Sequence, residues 1–267
     1  MEIVNADKDQ LVASVEAATN QLCAVLRSAS DPDVRAVGTW TVRDVGAHLA
    51  SGIPLYTGIV RGEGSTYTRL DRISELNAAA ITAITDRDCT SLADQIESAA
   101  AEFVTAVRTT PGDPEVVYHA GILLRVSSVT ALLLGEMLIH GYDIARASRR
   151  SWFIAPGDAG LVLRGGLTIL PYFVDRAAAA GVRASFDIRL RGKDGLRLCL
   201  AFDDGSVNVA FGCTESVDCH LSAEPATFLL LMYGRQGPLR SALTGKVIAW
   251  GRKPWLAFYM QSLVQRP

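Results

Sequence analysis

Apolar residues recur along the first half of the chain at steps of three and four. Leu11, Val15, Ala18, Leu22 and Val25 form one such seam, the pattern of a helix that buries one side. Thr41-Val-Arg-Asp44 reads as a capping box, in which the Thr41 hydroxyl accepts from the first turn and Asp44 returns the bond. The helix it opens carries His48 and Leu49, and Pro54 is expected to kink or end it. Leu70, Ile73, Leu76, Ala80 and Ile84 make a third stripe. Leu92, Ile96, Phe103 and Val107 make a fourth, opened by Ser91 with Asp94 three residues on and closed by Thr110-Pro-Gly-Asp-Pro114. A further helix is expected from Ser127 to Ala147, and helices of this length and number predict an antiparallel bundle.

Beyond a helix-like stretch from Asp158 to Ala180 the period falls to two. Phe186-Ile188-Leu190, Leu196-Leu198-Leu200-Phe202, Val207-Val209-Phe211 and Val217-Cys219-Leu221 alternate apolar with other residues and predict strands. Lys193-Asp-Gly195 and Asp203-Asp-Gly205 supply hairpin turns, so the first three strands should form an antiparallel meander. Glu224 to Tyr233 reads as a helix, Gly245 to Gly251 as a last strand and Pro254 to Val264 as a closing helix. The change of period predicts two domains, an all-α bundle over 1–150 and an α+β domain with an antiparallel sheet over 151–267. Ser148-Arg-Arg-Ser151 and Ala155-Pro-Gly-Asp158 interrupt both patterns at the boundary.

Composition narrows the function classes. Lys plus Arg (26) nearly cancels Asp plus Glu (28), so no basic field exists to hold phosphate backbones and nucleic acid is not an expected partner. Five scattered cysteines fit a reducing cytoplasm better than a disulfide framework. The opening MEIVNADKDQ has no apolar run after a basic start and does not read as a secretory signal. Val126 to Ile139 is too short and too polar for a membrane span. A cytoplasmic protein is expected, with a monomer as the default.

The sharpest chemical signal is Glu136 with His140 four residues on, inside an apolar helix. Residues at that spacing share a face, so a carboxylate and an imidazole can converge on one ion. His48, on another apolar helix, is the best third ligand, and two imidazoles with one carboxylate form an open zinc-type site. An ordinary helix pair has the same spacing; an unpaired carboxylate on the core face of a bundle would be costly, which favours the ion. Asp143 lies under the same face and can orient His140 or hold a substrate group, while Arg146 suits either a cofactor carboxylate or the helix dipole. Asp44 reads as a cap, Cys199 and Cys219 as packing residues, and His119 and His220 are left outside the site.

These residues meet a family. Trp40-Thr-Val-Arg-Asp44-Val-Gly-Ala-His48-Leu followed by Glu136-Met-Leu-Ile-His140-Gly-Tyr-Asp143-Ile-Ala-Arg146-Ala closely resembles the mycothiol-dependent maleylpyruvate isomerases, whose amino-terminal domain is a DinB-like bundle. Leu221-Ser-Ala-Glu-Pro, Leu230-Leu-Met-Tyr-Gly234-Arg235 and Leu243-Thr-Gly245-Lys resemble the sterol-carrier-like domain attached to it. The resemblance implies a divalent metal, usually zinc, on His48, Glu136 and His140, with the thiol of mycothiol activated at the open position. It implies an isomerase or S-transferase acting on a small electrophile, and it does not single out maleylpyruvate. It also implies that Arg235 holds a substrate carboxylate, in the bidentate manner of arginine. The alternative is a non-catalytic protein holding a small molecule or lipid in its carboxy-terminal domain. The apolar run Phe228-Leu-Leu-Leu-Met232 favours that alternative, although a buried helix explains it equally.

Overall fold

A computed structural model describes residues 8–192, 195–213 and 216–265. It divides into two compact units, with the division falling between Phe153 and Ile154. The first contains α1 (Lys8–Arg27), the short hairpin β1 (Arg35–Val37) and β2 (Trp40–Thr41), α2 (Val42–Val60), α3 (Ile73–Ala83), α4 (Cys89–Thr109), a second hairpin β3 (Glu115–Val117) and β4 (Leu123–Arg125), and α5 (Val126–Ala147). Helices α1 and α2 each pack on both α4 and α5. Leu11, Leu22, Ile53, Ile96, Phe103 and Leu133 are buried at the centre of this bundle.

The predicted capping box is present at the start of α2. The Thr41 hydroxyl accepts from Asp44 N, and Asp44 Oδ2 accepts from Thr41 N at 2.9 Å. The other carboxylate oxygen accepts from Arg87 Nη1 at 2.7 Å, which ties the cap to the turn before α4. Asp44 therefore has no oxygen committed to His48.

Three helical expectations need correction. Helix α2 runs through Pro54 to Val60, because the burial of Ile53, Tyr56, Ile59 and Val60 on either side outweighs the backbone bond that proline deletes. The third stripe begins as a single 3-10 turn, Leu70–Arg72, and within α3 only Ile81 is buried. Helix α4 is capped three residues before Ser91, at Asp88: its Oδ1 accepts from Thr90 N and Ser91 N, and Asp94 is engaged by Arg27 instead.

In the second unit, α6 (Pro156–Gly166) precedes β5 (Arg183–Leu190), β6 (Arg197–Asp203), β7 (Ser206–Phe211), β8 (Cys219–Ala223), α7 (Pro225–Met232), α8 (Pro238–Leu243) and β9 (Val247–Trp250). The sheet order is β7-β6-β5-β8-β9. The expected meander is there, with Phe186 opposite Leu200 and Leu200 opposite Val209. Asp204 and Gly205 take positive φ values of 43° and 81° at the β6–β7 turn, the left-handed pair that a tight hairpin needs. Of the other predicted turn, Lys193 and Asp194 lie outside the described residues.

Strand β8 begins at Cys219 and joins β5 in parallel, so this antiparallel-rich sheet contains one parallel pair. The stretch expected as one helix from Asp158 stops at Gly166 and continues as a 3-10 turn at Leu170–Tyr172, which contains Pro171. The closing segment forms two 3-10 turns, Pro254–Phe258 and Met260–Leu263. Among the described residues no helix is long and apolar enough to cross a membrane.

One face of β5 is apolar: Phe186, Ile188 and Leu190 are buried. A cavity of about 120 Å3 opens on that face, lined by Leu163, Leu170, Ile188, Leu198, Phe228 and Met232 among others. The opposite face carries Asp187, wholly buried beneath its partners. Arg189 and Arg197 each donate two bonds to its carboxylate, and His220 Nδ1 lies 2.9 Å from it. Burial opposes ionisation, but these donors prevail and hold the Asp187 carboxyl well below the ordinary range. In the same balance Arg252 and Lys253 hold Asp218 down to about 2.

Two predictions follow from this packing. A Cβ on Gly141 would lie 2.2 Å from the Trp152 ring, so Gly141→Ala should destabilise the first unit by about 1–3 kcal/mol, measured by chemical denaturation. Asp187 and Asp218 have folded-state pKa values below the unfolded-chain value, so the stability they add is complete above about pH 5 and is lost as pH falls from about 4 toward 2. Asp187→Asn should therefore lower stability at neutral pH while flattening the acid dependence, followed by Trp fluorescence across an acid titration.

Candidate metal centre

Residues 40–48 and 136–143 bring the site together from two helices of the first unit. The capping box fixes where α2 begins and hence the direction of His48, seven residues into the helix. On α5, Glu136 and His140 are one turn apart. The result is a cluster in which His48, Glu136 and His140 each offer a ligand atom, all within 4.8 Å of one another. Glu136 Oε2 lies 3.3 Å from His48 Nε2 and 3.3 Å from His140 Nε2. Two ligands bound to zinc at about 2.0–2.1 Å and a tetrahedral angle are about 3.3 Å apart. The donor set and these two spacings therefore suit a divalent ion. Both imidazoles present Nε2 to it, and the Glu136 side chain keeps 30% exposure, so the cluster is reachable from solvent.

Electrostatics support the same reading. Burial would raise the Glu136 pKa, but the hydrogen bonds and charges of His140 and His48 hold it well below the carboxylate range. Burial would likewise lower that of His140, yet Asp143 and Glu136 outweigh it and raise the group to about 9. Asp143 Oδ2 lies 3.2 Å from His140 Nδ1 and is itself buried. With Nδ1–H donating to Asp143, release of the Nε2 proton leaves the lone pair that a metal would take, the usual outer-sphere arrangement around a ligating histidine. The Trp40 indole packs over the His48 ring with centroids 5.0 Å apart and reaches His140 at 6.2 Å, shielding one side.

Arg146 is in the last turn of α5. Arg235 belongs to the second unit, follows Gly234 at φ 70°, and donates from Nη1 to Tyr233 O at 2.8 Å. His220 is part of the Asp187 cluster. Burial pushes the Cys23 thiol to about 12, Cys213 to about 12 and Cys219 to about 11, and raises Cys89 as well. None of these four offers a ready thiolate.

One group that the sequence reading leaves outside the site is acted on by Glu136. His119 is only 6% exposed, and its ring centroid lies 4.9 Å from that of Tyr67 and 4.0 Å from that of Tyr118. The Glu136 carboxylate acts electrostatically on both His119 and Tyr67. No periodic pattern marks it, because it sits in the turn between β3 and β4. The only signal in the sequence was the Tyr118-His119 pair itself, a polar aromatic pair in a connection.

Comparison with known proteins gives the same architecture. Residues 12–145 match the family described as mycothiol maleylpyruvate isomerase N-terminal domain, and residues 173–251 match the SCP-2 sterol transfer family. A crystal structure of a mycothiol-dependent maleylpyruvate isomerase superposes with a TM-score of 0.58 at 17% identity, covering 93% of this chain and 95% of that one. A histidine-to-alanine variant of such an isomerase superposes with a TM-score of 0.58 at 16% identity, over the same shares of both chains. No curated protein matches the chain in sequence.

The cluster predicts a measurable metal stoichiometry. Protein purified without a histidine tag should carry about one divalent ion per chain, and a His48→Ala, His140→Ala variant should carry none, by elemental analysis. Asp143→Asn should weaken zinc affinity about 10- to 100-fold in a competition titration, as expected when the partner of a ligating histidine is lost.

Proposed function

The chain belongs to the family of the mycothiol maleylpyruvate isomerase N-terminal domain, and on that footing we propose that it is a metal-dependent enzyme using a low-molecular-weight thiol, mycothiol, on a small electrophile. The single observation that carries this reading is the convergence of His48, Glu136 and His140 within 4.8 Å. In this reading residues 1–150 form the metal-binding module and 151–267 the sterol-carrier-like one, and the protein works in the cytoplasm.

A bound divalent ion, zinc by the preference of this donor set, would bring a thiol to its nucleophilic thiolate form at neutral pH. The chain's own residues prepare that step. Glu136 stays ionised between its two imidazoles, Asp143 fixes the tautomer of His140, and Trp40 keeps water from one side of the His48 ring. Burial keeps Cys23, Cys89, Cys213 and Cys219 protonated, which favours a sulfur nucleophile supplied from outside the chain. Arg146 is assigned to a carboxylate of the thiol cofactor, and Arg235 to a carboxylate on the electrophile. Addition of the thiol across an electron-poor double bond, rotation and release constitute cis-trans isomerisation; with an electrophile that retains sulfur the same chemistry is S-transfer.

The cavity of about 120 Å3 in the second unit favours one other reading, a carrier of a small apolar molecule. The two are separated by incubating zinc-loaded protein with mycothiol and maleylpyruvate, then with a panel of other electrophiles. Turnover that disappears in the His48→Ala, His140→Ala variant is expected, with Arg235→Met raising KM for carboxylate substrates about 10- to 100-fold. A chain that binds no metal, turns over no electrophile and takes up an apolar fluorophore would establish the carrier instead.

A further inference from the structure

The near balance of charge over the whole chain conceals a segregation. Glu224 is the last acidic residue of the sequence, and Arg235, Arg240, Lys246, Arg252, Lys253 and Arg266 follow it with no acid among them. Residues 1–224 hold all 28 acidic residues and 20 of the 26 basic ones. The chain is therefore acidic up to the start of α7 and wholly basic beyond it.

Apolar side chains stand in water among those cations. Leu239 and Leu243 are four residues apart on α8 and so share a face, while Trp255 and Phe258 are three apart in the 3-10 turn Pro254–Phe258, a spacing that aligns side chains there. With Tyr259 they are 46–80% exposed. Helix α8, strand β9 and this turn are mutual neighbours. A small cavity between them is lined by Pro238 and Ala242 of the helix, Val247 and Ala249 of the strand, and Phe258 of the turn. The leucines and the aromatic side chains therefore border one surface, of the kind that marks an interaction site.

The charge of this surface selects its occupant. Arg240 lies within α8 and Lys246 at the entry to β9; both are exposed, and among the described residues neither has a carboxylate partner. Arg252 and Lys253 share the single carboxylate of Asp218, which leaves that end positive as well. A nucleic-acid backbone would answer the cations but not the leucines. An apolar protein face would answer the leucines but strip water from unpaired cations. The boundary of an anionic bilayer answers both: its phosphates meet Arg and Lys, its headgroup level suits Trp and Tyr, and its acyl region takes Leu and Phe.

We propose that α8, the entry to β9 and the turn Pro254–Phe258 form a docking surface for an anionic lipid bilayer, on which the protein sits peripherally. Two contributions hold it there. Attraction between the cations and the lipid phosphates is screened by salt, whereas insertion of Leu239, Leu243, Trp255 and Phe258 is not. This inference is independent of the thiol chemistry proposed above.

The test uses the full chain, zinc-loaded, with vesicles of equal parts phosphatidylglycerol and phosphatidylcholine beside vesicles of phosphatidylcholine alone, read by co-sedimentation. The anionic vesicles should hold the protein at least about tenfold more tightly, and sodium chloride should weaken that binding without abolishing it. Arg240→Glu with Lys246→Glu should lower the partition coefficient about 100-fold or more, each unit of charge near such a surface being worth about fivefold. Leu239→Ser with Leu243→Ser should lower it about tenfold. Tryptophan emission should shift to the blue on adding anionic vesicles, and Trp255→Phe should remove that shift. All these positions are exposed, so melting temperature and metal content should stay at the wild-type values in every variant. A wild type that ignores the anionic vesicles, or binding that survives either double variant undiminished, overturns the assignment. Equal affinity for duplex DNA, independent of the two leucines, would identify a general polyanion surface instead. A dimer in sedimentation velocity that the leucine variant dissociates would put a second copy of the chain there, and either result overturns the bilayer as the occupant.

Discussion

A carboxylate set within a helical bundle has to be neutralised, and much of the first unit is arranged around how Glu136 meets that requirement. Its oxygen lies 3.3 Å from two imidazoles on different helices, which requires α2 and α5 to meet at a fixed rotation and height. The Thr41–Asp44 capping box sets the start of α2, and its bond from Arg87 holds that start against the turn leading into α4. On α5, Gly141 admits the Trp152 ring against the backbone next to His140. These features have little to do with one another in sequence, yet each restricts where a histidine nitrogen can be.

The second unit answers the same electrostatic problem differently. Asp187 is wholly buried, and two guanidinium groups and a histidine cover it. Arginine does not give up its proton at any physiological pH, so that neutralisation is permanent and structural. Imidazole can lose its proton, so the Glu136 cluster can exchange protons for a cation. Two acids of depressed pKa therefore have opposite characters, decided by the kind of base beside them.

Much of this was legible from the chain. Period and capping chemistry located the bundle, the meander and the Glu136–His140 pair, because each depends on residues close in sequence. What escaped depends on distant contacts. Pro54 lies inside α2 because tertiary burial outweighs local preference, and only the assembled sheet shows that β8 runs parallel to β5. The exposure of α3 could not be read from its stripe, since Leu76 and Ile73 are apolar whether or not a neighbour covers them. His119 was passed over for a related reason: a lone histidine in a turn has no periodicity, and its setting comes from Ser65 and Tyr67, more than fifty residues earlier.

The protonated cysteines have a consequence for survival in the chemistry proposed for this protein. Soft electrophiles attack thiolates wherever they find them, and a catalyst of thiol addition meets such compounds continually. With Cys23 and Cys213 pushed to about 12, Cys219 to about 11 and Cys89 also raised, these side chains hold almost no thiolate at neutral pH. At these four positions the folded chain would be a poor target for electrophiles of the proposed chemistry, and alkylation would fall instead on the diffusible thiol, which can be replaced.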